Sequence, residues 1–237
     1  MAVWSMTAAY EKANVPAVLT VVTSGLTVYL DAANTQSYSG SGTTWTDLST
    51  GGNNFTLNSA AAYVSGATPH MNFESYISTK ATSTDLTIGA NSTIMAFTSI
   101  KASPGGDWRT MLRGSGNGNH QIIIEAGSNR LGMYDPSFGF RPSGFDIGSL
   151  PNPYTQFNCL TWRMSTSSPY YSFSFNGNQT TYNITAGGPW LGFTYLGAYP
   201  GSQYWGKIAV FLHYNRTLTD AEITQNYNFF KSRFGLT

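Results

Sequence analysis

The sequence predicts an all-β sandwich of two antiparallel sheets with one C-terminal α-helix. Aromatic residues make up 15% of the 237 residues and charged residues only 10%, which is the opposite of a disordered composition. Short runs rich in Tyr, Phe, Thr and Val alternate with turns rich in Gly and Asn, a pattern typical of strands joined by tight turns. Alternating strands need a second apolar layer, and no run of helices is present to supply one.

The amino-terminal segment, residues 1–24, differs from the rest of the chain. We expect it either to form an arm that anchors the domain to a neighbouring subunit or to supply the first strand. The anchoring residues would be Trp4, Met6 and Tyr10. Residues 25–237 are predicted to form the sandwich domain, beginning with an alternating strand at 26–30 that meets turn-forming residues at 31–34.

Further strands are predicted where alternating or β-branched runs lie between turn residues. In chain order these runs are 55–57, 71–73, 76–78, 92–100, 111–113, 121–125, 130–134, 157–164, 171–175, 193–196 and 207–214. Asn176-Gly177 indicates a hairpin turn. Residues 135–153 carry four prolines and three phenylalanines and are predicted to form a long loop, of the kind that is usually functional when it is ordered.

One helix is predicted at the end of the chain. Thr219 and Glu222 form the pattern of a capping box, in which each side chain binds a free backbone amide of the first turn. Apolar residues then recur at helical spacing and predict a face packed on the sandwich. They are Ile223, Tyr227, Phe230 and Phe234. Gly235 is placed to end the helix.

Charge and cysteine content exclude several classes of function. The formal net charge is +1 and the Lys and Arg residues are scattered, so neither the basic stripe of a nucleic-acid-binding protein nor a polybasic membrane-binding segment is present. The longest apolar run, 15–22, is too short to span a bilayer. The single cysteine, Cys159, lies in an apolar run, which predicts a buried thiol and excludes an internal disulfide.

Several stretches of the chain resemble a known family. Residues 25–38 and 44–49 resemble the opening of laminin-G-like (LamG), concanavalin A-like jelly-roll domains, and residues 206–223 are similar to their closing strand and helix. Phe175-Asn176-Gly177 resembles the Asn-Gly hairpin of that family. The resemblance spans about residues 25–236 and implies two antiparallel sheets of about six strands each. Such openings are frequent in structural proteins of phages and large DNA viruses, but the fold also hosts lectins, hydrolases and adhesion modules, so function must be argued from sites.

Catalysis has weak support in the sequence. Glycoside hydrolysis needs two carboxylates about 5–10 Å apart in one cleft, and residues two apart on a strand share a face. Glu125 has no acidic residue two positions away, Glu74 and Asp85 are isolated, and Asp220 and Glu222 belong to the helix cap. We therefore expect no enzyme activity, and a glycoside hydrolase is the least favoured alternative.

Metal binding is not predicted either, and no cofactor is expected. The three histidines have no paired spacing and are predicted to be turn or surface residues; they are His70, His120 and His213. The resemblance also raises the question of a structural calcium ion, because such domains often hold one on the rim of the sandwich. Acidic residues near predicted turns are Asp31, Asp47 and Asp135. A role of Asp in forming the turn itself is the commoner explanation for such positions.

A carbohydrate site needs an aromatic ring for the apolar face of a sugar and planar polar groups for its hydroxyls. Candidate ligand-binding residues in or beside predicted loops are Trp108, Arg109, Tyr134, Asp135, Phe138, Arg141, Tyr199 and Trp205. Phe140, Tyr195 and Tyr204 lie beside them. A sheet so rich in rings must bury most of them, so we expect half or more of these residues to be core.

The favoured function is that of a non-catalytic virion structural protein, either a capsid decoration or cement protein or a fibre or tail component. The first residues lack the basic region of a signal peptide, whereas the composition resembles that of extracellular recognition modules. A virion protein, made in the host cytoplasm and exposed after release, fits both observations. Its expected partners are other virion proteins, and repeated contacts favour a homo-oligomer. The alternative is a carbohydrate-binding adhesion module for cell-surface glycans.

Overall fold

The computed structural model describes residues 19–80, 86–87, 91–103, 106–114, 119–178, 180–185, 192–197, 199 and 201–237. The strands of the first half, numbered in chain order, are β1 (Leu26–Asp31), β2 (Thr44–Trp45), β3 (Phe55–Leu57), β4 (Tyr63–Val64), β5 (His70–Phe73), β6 (Ser78–Lys80), β7 (Leu86–Thr87), β8 (Ser92–Ile100) and β9 (Arg109–Arg113). Those of the second half are β10 (His120–Ile124), β11 (Arg130–Asp135), β12 (Gly139–Asp146), β13 (Asn158–Met164), β14 (Tyr171–Phe175), β15 (Tyr182–Ile184), β16 (Gly192–Phe193), β17 (Tyr195–Leu196) and β18 (Gly206–Tyr214).

Two antiparallel sheets of eight strands each form the two layers of the domain. We call them sheet A and sheet B. Sheet A has the order β15-β14-β13-β8-β18-β5-β4, with β1 also paired to β18. Sheet B has the order β12-β11-β10-β9-β17-β6-β3-β2, and β16 pairs with β7 in a small third sheet. The predicted sandwich is confirmed, with eight strands in each main sheet rather than about six.

Sheet A is covered on both of its faces. Alternate residues of β8 point to opposite sides: Ile94 and Ala96 lie in the core between the sheets, whereas Met95 and Phe97 lie in a second core with the C-terminal helix. All nine residues of β8 are therefore buried. Cys159 belongs to the second core, and burial raises the pKa of its thiol to about 12, which confirms the prediction of a buried thiol.

The C-terminal helix, α1 (Asp220–Phe230), continues into a 3₁₀ turn at Lys231–Phe234. Its start is the predicted capping box: Thr219 Oγ1 accepts from Glu222 N at 3.3 Å, and Glu222 Oε2 accepts from Thr219 N at 2.9 Å. The predicted apolar residues Ile223, Tyr227, Phe230 and Phe234 all lie in the second core. The helix thus seals the outer face of sheet A. Among the described residues no helix has the length and apolarity needed to cross a membrane.

Residues 20–24 are bound to this helical layer. Val22 N donates to Asn226 Oδ1 and Val22 O accepts from Tyr214, both at 2.9 Å. Gln225 donates to the carbonyl oxygen of Thr20 at 2.8 Å. The last residues of the predicted arm therefore pack on the domain. The predicted anchoring residues lie outside the described part of the chain; they are Trp4, Met6 and Tyr10.

The prediction of a loop over 135–153 was wrong. β11 and β12 form a hairpin that turns at 136–138, and a short 3₁₀ helix at Ile147–Ser149 follows. The segment contains Gly139, Pro142 and Gly144, and glycine and proline usually indicate a loop. Here they lie in β12, which is the edge strand of sheet B. An edge strand tolerates proline because its outward amide needs no partner strand.

Two of the three histidine predictions were also wrong. His213 is wholly buried in β18 and His120 is 7% exposed in β10, so neither is a turn or surface residue. Both histidines lie in strands. No spacing of residues in the sequence marks a histidine that is buried within a strand.

Candidate functional site

One continuous row of side chains crosses five neighbouring strands on the outer face of sheet B. Antiparallel pairing places Phe140 opposite Tyr134, Tyr134 opposite His120, His120 opposite Arg113, and Arg113 opposite Tyr195. Residues directly opposite each other share a face of the sheet. We call these five residues the aromatic row. Four strand spacings give it a length of about 19 Å.

Two β-bulges aim the middle of the aromatic row outward. His120 and Ile122 are two residues apart in β10 and would share a face in a regular strand, yet Ile122 lies in the inner core. The register shift between them places one extra residue, Gln121, in β10. A second shift leaves Met111 as the extra residue of β9, so that Arg113 faces outward. Bulges of this kind often re-aim side chains beside functional sites.

Trp108 extends the ring surface at one end of the aromatic row. Its ring lies edge to face with Phe140 and Tyr134, at centroid distances of 5.5 and 6.0 Å. Gly132 makes room for this cluster, because a methyl group there would lie 2.8 Å from the Phe140 ring. All three rings are partly exposed. They present an apolar surface with partly negative ring faces, which suits the C–H groups of a sugar.

Polar groups occupy the middle of the face. Thr110 Oγ1 donates its one hydrogen to Gln203 Oε1 at 2.9 Å. In its 2.9 Å hydrogen bond with His120, Thr110 Oγ1 must therefore accept from the Nδ1–H of the ring. This tautomer leaves the Nε2 of His120 as an acceptor. Burial, and to a lesser degree the charge of Arg113, lowers the pKa of His120 to about 4. The ring is therefore neutral at physiological pH.

Arg113 is held by stacking. Its guanidinium carbon lies 4.0 Å from the ring centroid of Tyr199 and 5.9 Å from that of Tyr195. Cation–π contact of this kind fixes the plane of the guanidinium. His120 meets Tyr199 edge to face at 6.1 Å, so Tyr199 connects the charged and the neutral polar groups of the aromatic row.

A cleft of about 460 Å³ adjoins the row beside Trp108. Its polar lining residues are Lys101, Ser103, Asp107, Arg109, Ser202, Gln203 and Tyr204. Lys101 lies over the ring of Tyr204 at 5.3 Å. Because Gln203 lines the cleft and also binds Thr110, the cleft and the aromatic row form one continuous surface that combines rings with hydrogen-bonding groups.

The structure brings three of the eight predicted site residues together on this face: Trp108, Tyr134 and Tyr199. Two others are buried within the domain. Trp205 is fully buried and donates to Thr98 at 2.7 Å. Arg109 donates inward to Ser128 O at 3.0 Å.

The remaining predicted residues lie at the end of the β11–β12 hairpin. Asp135 is 1% exposed and its Oδ1 binds the amide of Ser137, so it forms the turn. Phe138, at the tip, is 58% exposed, and Arg141 stacks on it at 5.5 Å. Arg141 is paired with Met133 of the inner core and so points away from the aromatic row. Trp205, Arg109 and Asp135 are therefore buried and hydrogen-bonded within the domain, and their role in ligand binding stays a prediction.

Sequence reasoning missed Arg113 and His120 as members of the site. No spacing marks them, because the bulges that turn them outward break the alternation that would have shown their face. Phe140 was noted beside the candidate residues but fell in the segment taken as a loop.

Two of the carboxylates weighed from the sequence are engaged by hydrogen bonds within the domain. Glu125 accepts from Arg130 at 2.7 Å and from Ser128 at 2.8 Å. Asp47, one of the acids considered for calcium, accepts from the backbone amides of Tyr29, Ser49 and Asn53, each at 2.8 Å. Within the described ranges no three His, Cys, Asp or Glu side chains are grouped so that they could hold a metal ion.

Neither the known family models nor the curated protein sequences contain a match to this chain. Solved structures do match. Trypanosoma rangeli sialidase is similar with a TM-score of 0.59 and 16% identity, over 90% of this chain and 34% of that chain. The receptor binding domain of botulinum neurotoxin C/D mosaic serotype matches with a TM-score of 0.61 and 13% identity, over 87% of this chain and 52% of that one.

The binding domain of Paraclostridial Mosquitocidal Protein 1 is also similar, with a TM-score of 0.55 and 14% identity, over 86% of this chain and 52% of that one. The chain therefore spans about a third of the sialidase and about half of each binding domain. Likeness at such low identity establishes the all-β sandwich fold shared by these proteins, and the site must carry the argument about function.

Proposed function

We propose that this chain is a glycan-binding domain and that its outer face of sheet B, from Trp108 along the aromatic row to Arg113, is the binding surface. The observation that carries the proposal is the union of partly exposed rings with fixed polar groups on one surface. Trp108, Tyr134 and Phe140 offer ring faces for sugar C–H groups, and the partly exposed Gln203 and Arg113 offer hydrogen-bonding groups to hydroxyls.

Two of the similar structures support a binding role by their own descriptions. One is a receptor binding domain and the other a binding domain, and a further sialidase structure holds sialic acid. Their sites are not transferred residue by residue, because the identity is 13–14%. The geometry of the aromatic row is the independent support.

The test is a glycan array followed by titration calorimetry on the best ligand. We expect W108A to weaken binding by about tenfold or more, because it removes one stacking ring from the centre of the ring surface. F229A is the matched control: Phe229 is also an exposed ring, 38% accessible, but lies on α1 on the opposite side of sheet A. A folded protein with no ligand on a broad array, or equal losses in W108A and F229A, would refute the proposal.

The domain is proposed to bind without catalysis. Glu125, the strand carboxylate that the sequence analysis weighed for hydrolysis, is engaged by Arg130 and Ser128. Prolonged incubation with the array ligand is expected to leave it intact. Release of a new reducing end, measured by chromatography, would contradict this and favour a glycoside hydrolase.

A virion structural role, with capsid or tail proteins as partners and homo-oligomeric assembly, stays a proposal that rests on the sequence resemblance and composition. The structure indicates where the chain should be cut to test the anchoring role of the arm. Residues 20–24 are bound by Tyr214, Gln225 and Asn226, so the arm should be cut after residue 18 and not before Gly25. The truncated protein is expected to fold yet fail to join particles, and its normal incorporation would overturn the anchoring role of Trp4, Met6 and Tyr10.

A further inference from the structure

Arg113 carries the unmatched charge of the aromatic row. Ion pairs among the described residues involve Arg130, Arg163, Lys207, Arg216 and Arg233, and none involves Arg113. Arg130, which lies over Phe140 at 5.8 Å, is neutralised by Glu125. Since His120 is neutral, Arg113 is the charged member of the aromatic row, and no acidic side chain of the described residues forms an ion pair with it.

The guanidinium of Arg113 is held in a fixed plane, and it has hydrogen-bond donors that no described residue engages. Tyr199 and Tyr195 fix its plane. Nη1 makes one long hydrogen bond of 3.3 Å to the carbonyl oxygen of Gly114, and Nη2 makes none to another described residue. Nε is buried, so the two Nη atoms of this partly exposed side chain are the donors available to a ligand. A planar, stacked guanidinium with spare donors matches the geometry of a carboxylate or sulfate oxyanion, which a neutral hydroxyl cannot match in charge or in number of acceptors.

The rings for stacking lie away from this charge. Phe140 is in β12 and Arg113 is in β9, three strand spacings or about 14 Å apart. This is longer than one pyranose ring. A ligand that reaches both the ring cluster around Trp108 and the guanidinium must therefore be an oligosaccharide.

We propose that the face selects acidic oligosaccharides, with an oxyanion of one sugar held by Arg113 while neutral parts of the chain stack on Trp108 and Phe140. The inference rests on the proposed function and names its ligand class. It makes Arg113 a specificity-determining residue and Trp108 a residue that contributes to binding of acidic and neutral chains alike.

The test compares acidic oligosaccharides with their neutral counterparts of equal length. One arm uses oligogalacturonate and its carboxyl-reduced form, and the other uses a sulfated galactan oligosaccharide and its desulfated form. Calorimetry is run on the wild-type chain and on R113Q, R113K, W108A and R163Q. Arg163 is the matched control, because it is an arginine of the other sheet paired with Asp220 at 2.8 Å.

For the acidic ligand, we expect R113Q to lose about ten- to a hundredfold in affinity, the change that one charge-assisted contact carries. R113Q should weaken binding of the neutral ligand far less than binding of the acidic one, and R113K should lose less affinity for the acidic ligand than R113Q. R163Q should change neither affinity. W108A should weaken both. The arm that shows the loss identifies carboxylate or sulfate as the recognised group, and thermal melting checks that each variant is folded.

Equal wild-type affinity for acidic and neutral ligands, or equal losses on both in R113Q, would overturn the inference and leave the proposed glycan-binding function standing. Failure of the folded wild-type chain to bind any of the four ligands or any array glycan would overturn both. Should R113Q not fold, R113K serves alone, and an unchanged ratio of acidic to neutral affinity in that variant would refute the selective role of Arg113.

Discussion

His213 is a titratable group sealed in the core between the sheets. It lies opposite Val28 and Ile94 in the neighbouring strands, its ring meets Phe193 at 6.2 Å, and its Nδ1 contacts the hydroxyl of Thr27. Burial lowers the pKa of His213 to about 3. Charging this ring inside the folded protein is therefore strongly unfavourable, and the protein should lose stability in mild acid.

The magnitude follows from proton linkage. A histidine with a normal pKa of 6.5 in the unfolded chain and a depressed pKa in the folded chain binds more protons when unfolded. Its stabilising contribution is complete above pH 6.5 and falls as the pH drops toward the folded-state value. From about pH 7.5 to about pH 5 the free energy of unfolding should decrease by about 2 kcal/mol for each such histidine. His120, with a pKa of about 4, behaves likewise, so the two together contribute about 4 kcal/mol.

The assay is urea unfolding at a series of pH values across this range. The wild-type chain should lose about 4 kcal/mol, and H213F, which fills the apolar site without titrating, should lose only about half as much. H213N provides a second non-titrating variant if the phenylalanine does not pack. His70, whose pKa is also lowered by burial, adds a loss of the same sign in all three proteins. A free energy of unfolding of the wild-type chain that does not change from about pH 7.5 to about pH 5 would show that His213 is not held neutral. An equal loss of unfolding free energy in H213F would show that groups other than His213 cause the pH dependence.

Two further predictions concern the helix start and the edge of the site. T219A removes the capping hydroxyl that accepts from Glu222 N and should cost about 1 kcal/mol of unfolding free energy; an unchanged urea midpoint would show that water replaces the cap without loss. G132A places a methyl group against the Phe140 ring and the carbonyl oxygen of Arg141. It should destabilise the domain by about 1–3 kcal/mol and displace Phe140, so that glycan affinity falls as well. Wild-type stability and affinity in G132A would show that β12 moves aside without disturbing the site.

The helix and hairpin were readable from sequence because local chemistry decides them. A Thr and a Glu three residues apart can cap the helix in any context, and the structure contains that cap at Thr219. Asn176 and Gly177 adopt positive φ angles of 50° and 69°, with a 2.9 Å hydrogen bond from Asn178 N to Phe175 O, as a tight hairpin turn requires. β12 was not predicted, because the residues that mark a loop, Pro142 above all, are also allowed in an edge strand. Only the order of strands in the sheet decides between a loop and an edge strand.

The sequence by itself determined the fold class, most strand positions and the presence of aromatic rings in or beside turns, Trp108 and Tyr134 among them. The tertiary structure alone decided which of the rings and arginines share a surface. Side chains alternate between two faces, so one extra residue reverses every assignment beyond it. The extra residues at Met111 and Gln121 turn Arg113 and His120 outward into the aromatic row, and the pairing of five strands, which no local pattern encodes, aligns them.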